Sequence, residues 1–245
     1  MSAGPVRDRL IVALDRPDLE AALREVDRIG DAASWYKVGL ELYAAAGRAA
    51  VQALADRGKR IFLDLKLHDI PATVGKAVRA LEGLPISLLT VHAAGGPAML
   101  RAAAESAAGL KARPRVLGVT MLTSLDGSEL PALWNPKTDL EEKVLALAGV
   151  CEEAGIDGVV ASPLELTPLR LEHESPFLIV TPGIRGPGDA AGDQKRTLSL
   201  PEAFARGADY VVVGRPILEA PDPRAVIASY EASLNSHLTT ERTGS

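Results

Sequence analysis

Short runs of apolar residues recur along the chain, and a stretch with helical spacing follows each of them. Several runs are continuous in Val, Ile and Leu, which is typical of parallel strands that are covered on both faces. The predicted strands span residues 10–14, 35–38, 60–65, 88–91, 116–119, 158–161, 178–180 and 210–213. The predicted helices span residues 19–29, 44–57, 73–81, 97–107, 140–154, 166–171, 199–206 and 224–238. Eight alternations of strand and helix predict an α/β chain folded as a single (β/α)8 TIM barrel.

The length of the chain favours one domain. Its 245 residues, 47% of them hydrophobic, are enough to build one large core. Because no run rich in Pro, Gly or Ser interrupts the interior, we expect one domain over residues 1–238, followed by a flexible polar tail at 239–245. A doubly wound open sheet is the main structural alternative. The lack of a Gly-x-Gly-x-x-Gly motif after the first strand weakens it.

Charge and cysteine content exclude several classes of partner. The formal net charge of −5 provides no basic surface for a nucleic-acid backbone, so we expect no nucleic-acid partner. The apolar run at 10–14 is too short for a signal peptide or a membrane span, which indicates a soluble protein with no membrane partner. The single cysteine, Cys151, cannot form an internal disulfide, as is usual in a reducing compartment. We therefore expect a cytoplasmic protein.

The third predicted strand carries charges inside an otherwise apolar run. Successive side chains of a strand point to opposite faces, so Asp64 and Lys66 share one face while the neighbouring leucines share the other. Burying a carboxylate beside an ammonium rarely improves stability over an apolar pair. The Asp64 and Lys66 pair therefore indicates chemistry rather than folding.

Polar residues also follow the other predicted strands, where a TIM barrel places its active site. They include Asp15, Lys37, Asp69, His92, Thr120, Thr123, Ser162, Arg185 and Arg215. Loops after strands seven and eight commonly bind phosphate in this fold, and Gly183, Gly214 and Arg215 suit that role. The glycine-rich segment 187–196 is expected to close over a ligand and to place Gln194 or Arg196 on its phosphate.

The segment FLDLKLHDIPATV at residues 62–74 resembles the signature of the orotidine 5'-phosphate decarboxylase family. Further segments agree with that family in the same order, at residues 11–15, 36–39, 116–124, 181–185, 192–196 and 213–217. The resemblance covers nearly the whole chain. It implies conversion of orotidine 5'-phosphate to UMP and carbon dioxide, the last step of de novo pyrimidine synthesis, with no metal and no organic cofactor.

The resemblance also implies a role for each matching residue. Lys66 would donate a proton to C6 of the pyrimidine, and Asp64 would lie against the departing carboxylate. Asp15 and Lys37 would hold ribose hydroxyls, and Lys37 would complete a catalytic array of alternating charges with Asp64, Lys66 and Asp69. The remaining contacts to the base and the phosphate would come from Thr123, Pro182, Arg185, Gln194, Gly214 and Arg215. In the family Asp69 and Thr73 reach into the neighbouring subunit's site, which implies a homodimer with shared active sites.

Two other functions are compatible with such a barrel. A magnesium-dependent sugar-phosphate lyase of a related group uses a similar Asp-x-Lys-x-x-Asp segment, with Asp64 and Asp69 as candidate metal ligands. Those relatives carry a glutamate where this chain has Lys37, whose charge would repel Mg²⁺. The other alternative is a non-catalytic barrel that binds phosphate, although every charged residue of the array is present.

Overall fold

The computed structural model describes residues 5–125, 139–186 and 196–243. Eight parallel strands pair in sequence order, and β8 pairs with β1 to close a barrel. The strands are β1 Leu10–Ala13, β2 Trp35–Val38, β3 Arg60–Leu67, β4 Ile86–His92, β5 Arg115–Val119, β6 Gly158–Val160, β7 Leu178–Thr181 and β8 Tyr210–Val213. The predicted (β/α)8 TIM barrel is confirmed, and the open-sheet alternative is wrong because no strand of this barrel is left as an edge.

Helices connect the strands and cover the outside of the barrel. They are α1 Leu19–Ile29, α2 Leu40–Ala46, α3 Arg48–Ala55, α4 Pro71–Arg79, α5 Gly96–Ala108, α6 Leu140–Glu153, α7 Leu166–Glu172, α8 Leu200–Ala205, α9 Arg215–Leu218 and α10 Pro223–Thr243. Side-chain caps fix several helix starts, since Asp18 and Asp139 accept hydrogen bonds from backbone N–H groups of α1 and α6. No helix within the described ranges has both the length and the apolar character needed to cross a membrane.

The helices differ most from the predicted ones at three places, and the other boundaries shift by no more than two residues. The predicted helix 44–57 is two helices, because Gly47 adopts a left-handed conformation with φ of 54° and ends α2 before α3 begins. A short helix, Arg215–Leu218, follows β8, where no helix was predicted. The last helix continues past Leu238, its predicted end, to Thr243.

Apolar side chains form two clusters on the two faces of the strands. The larger cluster lies between strands and helices, and the smaller one fills the barrel interior. The interior cluster consists of Ile11, Ala13, Trp35, Phe62, Leu88, Leu117, Leu178, Val180 and Val212. Because apolar side chains fill this part of the interior, polar chemistry is confined to the strand ends.

The contact between β5 and α6 tests the packing of the larger cluster. A Cβ added at Gly118 would overlap the sulfur of the fully buried Cys151. We expect Gly118→Ala to lower the free energy of unfolding by about 1–3 kcal/mol through overpacking. Adding Cys151→Ala should recover most of this loss, because it removes the overlapping atom. Urea denaturation of both single variants and the double variant measures the free energies of unfolding. If the losses of the two single variants simply add in the double variant, the described contact between positions 118 and 151 is contradicted.

Candidate active site

A cavity of about 620 Å³ opens at the carboxyl ends of the strands. It collects residues from both halves of the chain, as expected for the functional end of a TIM barrel. The predicted site residues that line it are Asp15, Lys37, Asp64, Lys66, Thr123, Pro182, Arg185, Gly214 and Arg215. Residues that are distant in sequence thus share one cavity.

Asp64 is the centre of the charged cluster in this cavity. Its residue is only 7% exposed, and its Oδ2 atom lies 2.8 Å from Lys66 Nζ and 3.7 Å from Lys37 Nζ. Lys37 Nζ also lies 3.2 Å from Oδ1 of the more exposed Asp15. The two ammonium groups and two carboxylates alternate, so each buried charge has an opposite charge beside it, which offsets the cost of desolvation.

Thr90 completes this cluster, although the sequence patterns did not predict it. The buried Thr90 hydroxyl donates to Asp64 Oδ1 at 2.9 Å and accepts from the backbone N–H of Lys66 at 2.9 Å. The alternation of residues in β4 could have indicated the position of Thr90. Leu88 belongs to the barrel interior, so the alternation of β4 points Thr90 in the same direction, toward the site.

Lys66 has an unusual backbone conformation. Its φ is 49°, and it alone among the described non-glycine residues has a positive φ. The pairing of β3 with β4 shifts register between Leu63 and Leu67, so the regular alternation of the strand is interrupted at Lys66. A left-handed conformation is costly for a residue with a side chain and is commonly found at functional sites. The hydrogen bond from the Lys66 N–H to Thr90 holds this conformation.

Gly39 gives the Lys37 side chain room. A Cβ added at Gly39 would lie 2.8 Å from Lys37 Nζ and 3.5 Å from Asp15 Oδ1. The backbone of Gly39 is extended, with φ of −91°, so its conformation does not require glycine. The room that Gly39 leaves for the Lys37 ammonium therefore explains a glycine at this position better than its backbone conformation does.

Two arginines also line the cavity. Arg185 follows β7 and Arg215 follows β8, and β7 lies opposite β3 in a closed barrel of eight strands. Gly183 has a φ of 83°, a conformation that favours glycine, and it turns the chain from β7 toward Arg185. The cavity thus holds two arginines as well as the Asp64 cluster, with Arg185 after the strand opposite β3 and Arg215 after the strand that pairs with β1. This combination suits a ligand with an anionic end.

Two predicted site residues lie elsewhere, and a third falls outside the described residues. Asp69 and Thr73 are exposed and do not line the cavity, so within one chain Asp69 does not join the charged cluster as a direct neighbour of Lys66. Asp69 accepts a hydrogen bond from the N–H of Ile70 at 2.6 Å and borders a separate cavity of about 390 Å³. Gln194 falls outside the described residues, together with the rest of 187–195.

Arg196, the predicted alternative to Gln194 as a phosphate ligand, is paired with another side chain and does not line the cavity. Its guanidinium is buried and forms an ion pair with Glu165, which is also buried. Burial raises the pKa of the Glu165 carboxyl, and the charge of Arg196 opposes this shift. Neither residue lines the cavity.

His92 stands at the end of β4 and stacks on His68, with ring centroids 5.1 Å apart. Its Nδ1 accepts a hydrogen bond from the N–H of Ala94 at 3.4 Å. Partial burial lowers the pKa of His92, and the nearby positive charges of His68 and Lys66 act in the same direction. A neutral ring that accepts a backbone hydrogen bond indicates a structural role.

Comparisons with known proteins agree on one family. A model described as "Orotidine 5'-phosphate decarboxylase / HUMPS family" matches residues 8–230. The orotidine 5'-phosphate decarboxylase of Moorella thermoacetica is 48% identical over 93% of this chain and 92% of its own length. That of Nitrosococcus oceani is 44% identical over 94% and 99%. The crystal structure of the Lactobacillus acidophilus orotidine 5'-phosphate decarboxylase superposes with a TM-score of 0.81 at 38% identity, covering 93% of this chain and 99% of the other.

The Thr90 hydroxyl provides a test of the cluster. Thr90→Val keeps the shape of the side chain but leaves Asp64 Oδ1 and the Lys66 N–H without their described partner. We expect the free energy of unfolding to fall by about 1–3 kcal/mol. Thr90→Ser keeps the hydroxyl and should lose less. Denaturant unfolding of the two variants measures the difference, and equal stability of Thr90→Val and wild type would contradict the assigned hydrogen bonds.

Proposed function

The chain belongs to the orotidine 5'-phosphate decarboxylase / HUMPS family, and on this premise we propose that it converts orotidine 5'-phosphate to UMP and carbon dioxide. This reaction is the last step of de novo pyrimidine synthesis, and the enzyme is a carboxy-lyase. The observation that carries the proposal is the position of the Lys66 ammonium, which lies 2.8 Å from the buried Asp64 inside the cavity.

The chemistry of the reaction explains why an ammonium is needed. When the C6–carboxylate bond breaks, its electron pair stays in the plane of the pyrimidine ring, where the ring π-system cannot delocalise it. A fixed positive charge beside C6 stabilises this pair electrostatically, which is commonly the largest catalytic contribution. In the proposed step Lys66 then transfers its proton to C6, carbon dioxide leaves, and solvent returns a proton to the lysine.

The neighbours of Lys66 fix that ammonium before the substrate arrives. Asp64 accepts from Lys66 and from Thr90, so its carboxylate cannot rotate freely and keeps Lys66 Nζ in one position. In the proposed complex, Asp64 lies next to the departing carboxylate. Lys37 and Asp15, which pair at the edge of the same cluster, bind ribose hydroxyls.

Cavity residues that follow β7 and β8 suit the other end of the nucleotide. We assign the phosphate to Arg185, Gly214 and Arg215, and contacts with the base to Thr123 and Pro182. Gln194 stays a prediction for the phosphate, since it lies outside the described residues. Because the phosphate is remote from C6, its binding energy can serve to orient the reacting carbon against Lys66.

We further propose a homodimer with shared active sites. Residues 68–73 are all exposed, and within this stretch Ile70 is 66% exposed. Leu40, at the start of α2 and also near the cavity end of the barrel, is 61% exposed. Exposed apolar side chains beside exposed Asp69 and Thr73 are what a subunit interface would cover. In such a dimer Asp69 and Thr73 enter the partner's cavity and Asp69 completes the charge array there.

The position of Lys37 argues against the magnesium-dependent lyase. Its ammonium lies between the carboxylates of Asp15 and Asp64, the place that a divalent cation would need. Asp64 and Asp69, the two candidate ligands, border different cavities. Among the described residues, no group of three or more His, Cys, Asp and Glu side chains has the arrangement of a metal site.

The first test of the function is an assay of orotidine 5'-phosphate decarboxylation in excess EDTA. The reaction is monitored by the loss of the orotate absorbance. Wild type should turn over the substrate, and Lys66→Ala should lower kcat by at least about 10³-fold, because it removes both the positive charge and the proton donor. UMP should still bind to this variant. Lys111→Ala, on an exposed lysine remote from the cavity, is the control. Full activity of Lys66→Ala would refute the assignment, and activity that disappears in EDTA would favour the lyase.

A second test addresses the shared sites. Lys66→Ala and Asp69→Ala should each be nearly inactive alone. After unfolding and refolding together, mixed dimers should contain one intact site and recover about a quarter of wild-type activity, because half of the dimers are mixed and each holds one good site. Co-refolding each variant with itself is the control. No recovery in a mixture shown to contain mixed dimers would contradict sharing.

A further inference from the structure

The Glu165–Arg196 ion pair is buried at the functional end of the barrel, yet it belongs neither to the cavity nor to the proposed chemistry. Glu165 is 4% exposed and Arg196 is 7% exposed. Among the described residues, Glu165 Oε2 and Arg196 Nε have no hydrogen-bond partner. A buried ion pair of this kind contributes little net stability, so stability alone does not explain why it is present.

The pair connects three successive strand-to-helix loops. Glu165 ends the 3-10 helix Pro163–Glu165, which follows β6. Arg196 comes from the connection after β7, and its Nη2 donates to the carbonyl of Leu122, after β5, at 3.4 Å. One guanidinium therefore holds the ends of the connections after β5 and β6 against the connection after β7.

Two of the connected loops carry cavity residues. Leu122 and its neighbour Thr123 both line the cavity. On the other side, Leu198 forms a parallel bridge with Ile184, its carbonyl accepts from the N–H of Arg185 at 3.0 Å, and its N–H donates to Gly183 at 3.2 Å. Because Arg196 is two residues from Leu198, anchoring Arg196 also anchors the backbone that presents Arg185.

We propose that the buried Glu165–Arg196 pair is a positioning device for phosphate recognition, which sets the place of Arg185 without contacting the substrate. This inference rests on the proposed function and deepens it. The energetic consequence is specific. Loss of the pair should affect a ligand through its phosphate and should leave contacts of the base and ribose with the Asp64 cluster intact.

The test compares orotidine 5'-phosphate with orotidine, which lacks the phosphate, in Glu165→Gln, Arg196→Met and the double variant. Each should lower kcat/KM for orotidine 5'-phosphate by about 10–100-fold and change kcat/KM for orotidine by less than about threefold. The double variant should be no worse than the poorer single variant, since both break one link. If these variants fold poorly, Arg196→Lys, which keeps the buried charge, can be measured instead. Its loss of kcat/KM should be smaller and should again be confined to the phosphorylated substrate.

Arg170→Met is the matched control, because it breaks a 2.7 Å ion pair with Asp209 at the opposite end of the barrel. It should lower stability and leave both kcat/KM values unchanged. Equal losses for the two substrates, or no loss for orotidine 5'-phosphate, would overturn the inference.

Calorimetric titration with UMP and with uridine provides a readout that does not need turnover. The variants should weaken UMP binding about tenfold or more, with uridine binding nearly unchanged. Absence of decarboxylation by wild type would refute the proposed function alone, and the UMP and uridine affinities would then decide the positioning role. Equal weakening of both ligands would overturn it.

Discussion

A buried carboxylate needs hydrogen-bond donors or positive charges around it, and the Asp64 carboxylate has three such groups at the mouth of this barrel. Lys66 and Lys37 supply charge, and the Thr90 hydroxyl supplies a neutral hydrogen bond that fixes its orientation. Removing water from one unpaired charge would cost far more than this fold could recover. The pairing that Asp64 needs for stability therefore also fixes the position of the Lys66 ammonium, and the proposed catalysis depends on that position.

Different residues of the barrel stabilise the fold and form the binding site. Apolar side chains fill the interior and the layer beneath the helices, whereas charged side chains stand where the strands end. Closing the sheet brings the Asp64 cluster and the arginines to one cavity, since β7 lies opposite β3 and β8 pairs with β1. A nucleotide that spans this cavity is held at its phosphate and at its reacting carbon, two points that no single loop could provide.

Much of this arrangement could be predicted from local sequence. Alternating strands and helices predicted the barrel, and charges inside an apolar strand predicted Asp64 and Lys66 as a pair, since these signals are local periodicities. The positive φ of Lys66 and the Thr90 hydrogen bonds depend on how β3 and β4 pair, which periodicity does not report. The ion pair of Arg196 was not predicted for a related reason. A sequence shows that an arginine follows a glycine-rich segment, but not that Glu165, from another loop, is buried beside it.

The most direct test of the central claim is a crystal structure of this protein with UMP. We expect C6 of the pyrimidine within about 3.5 Å of Lys66 Nζ, with Lys66 still paired to Asp64 and the phosphate between Arg185 and Arg215. A nucleotide bound in the opposite direction, with its phosphate on the lysines, would contradict it. So would a Lys66 side chain turned away from the ring into solvent.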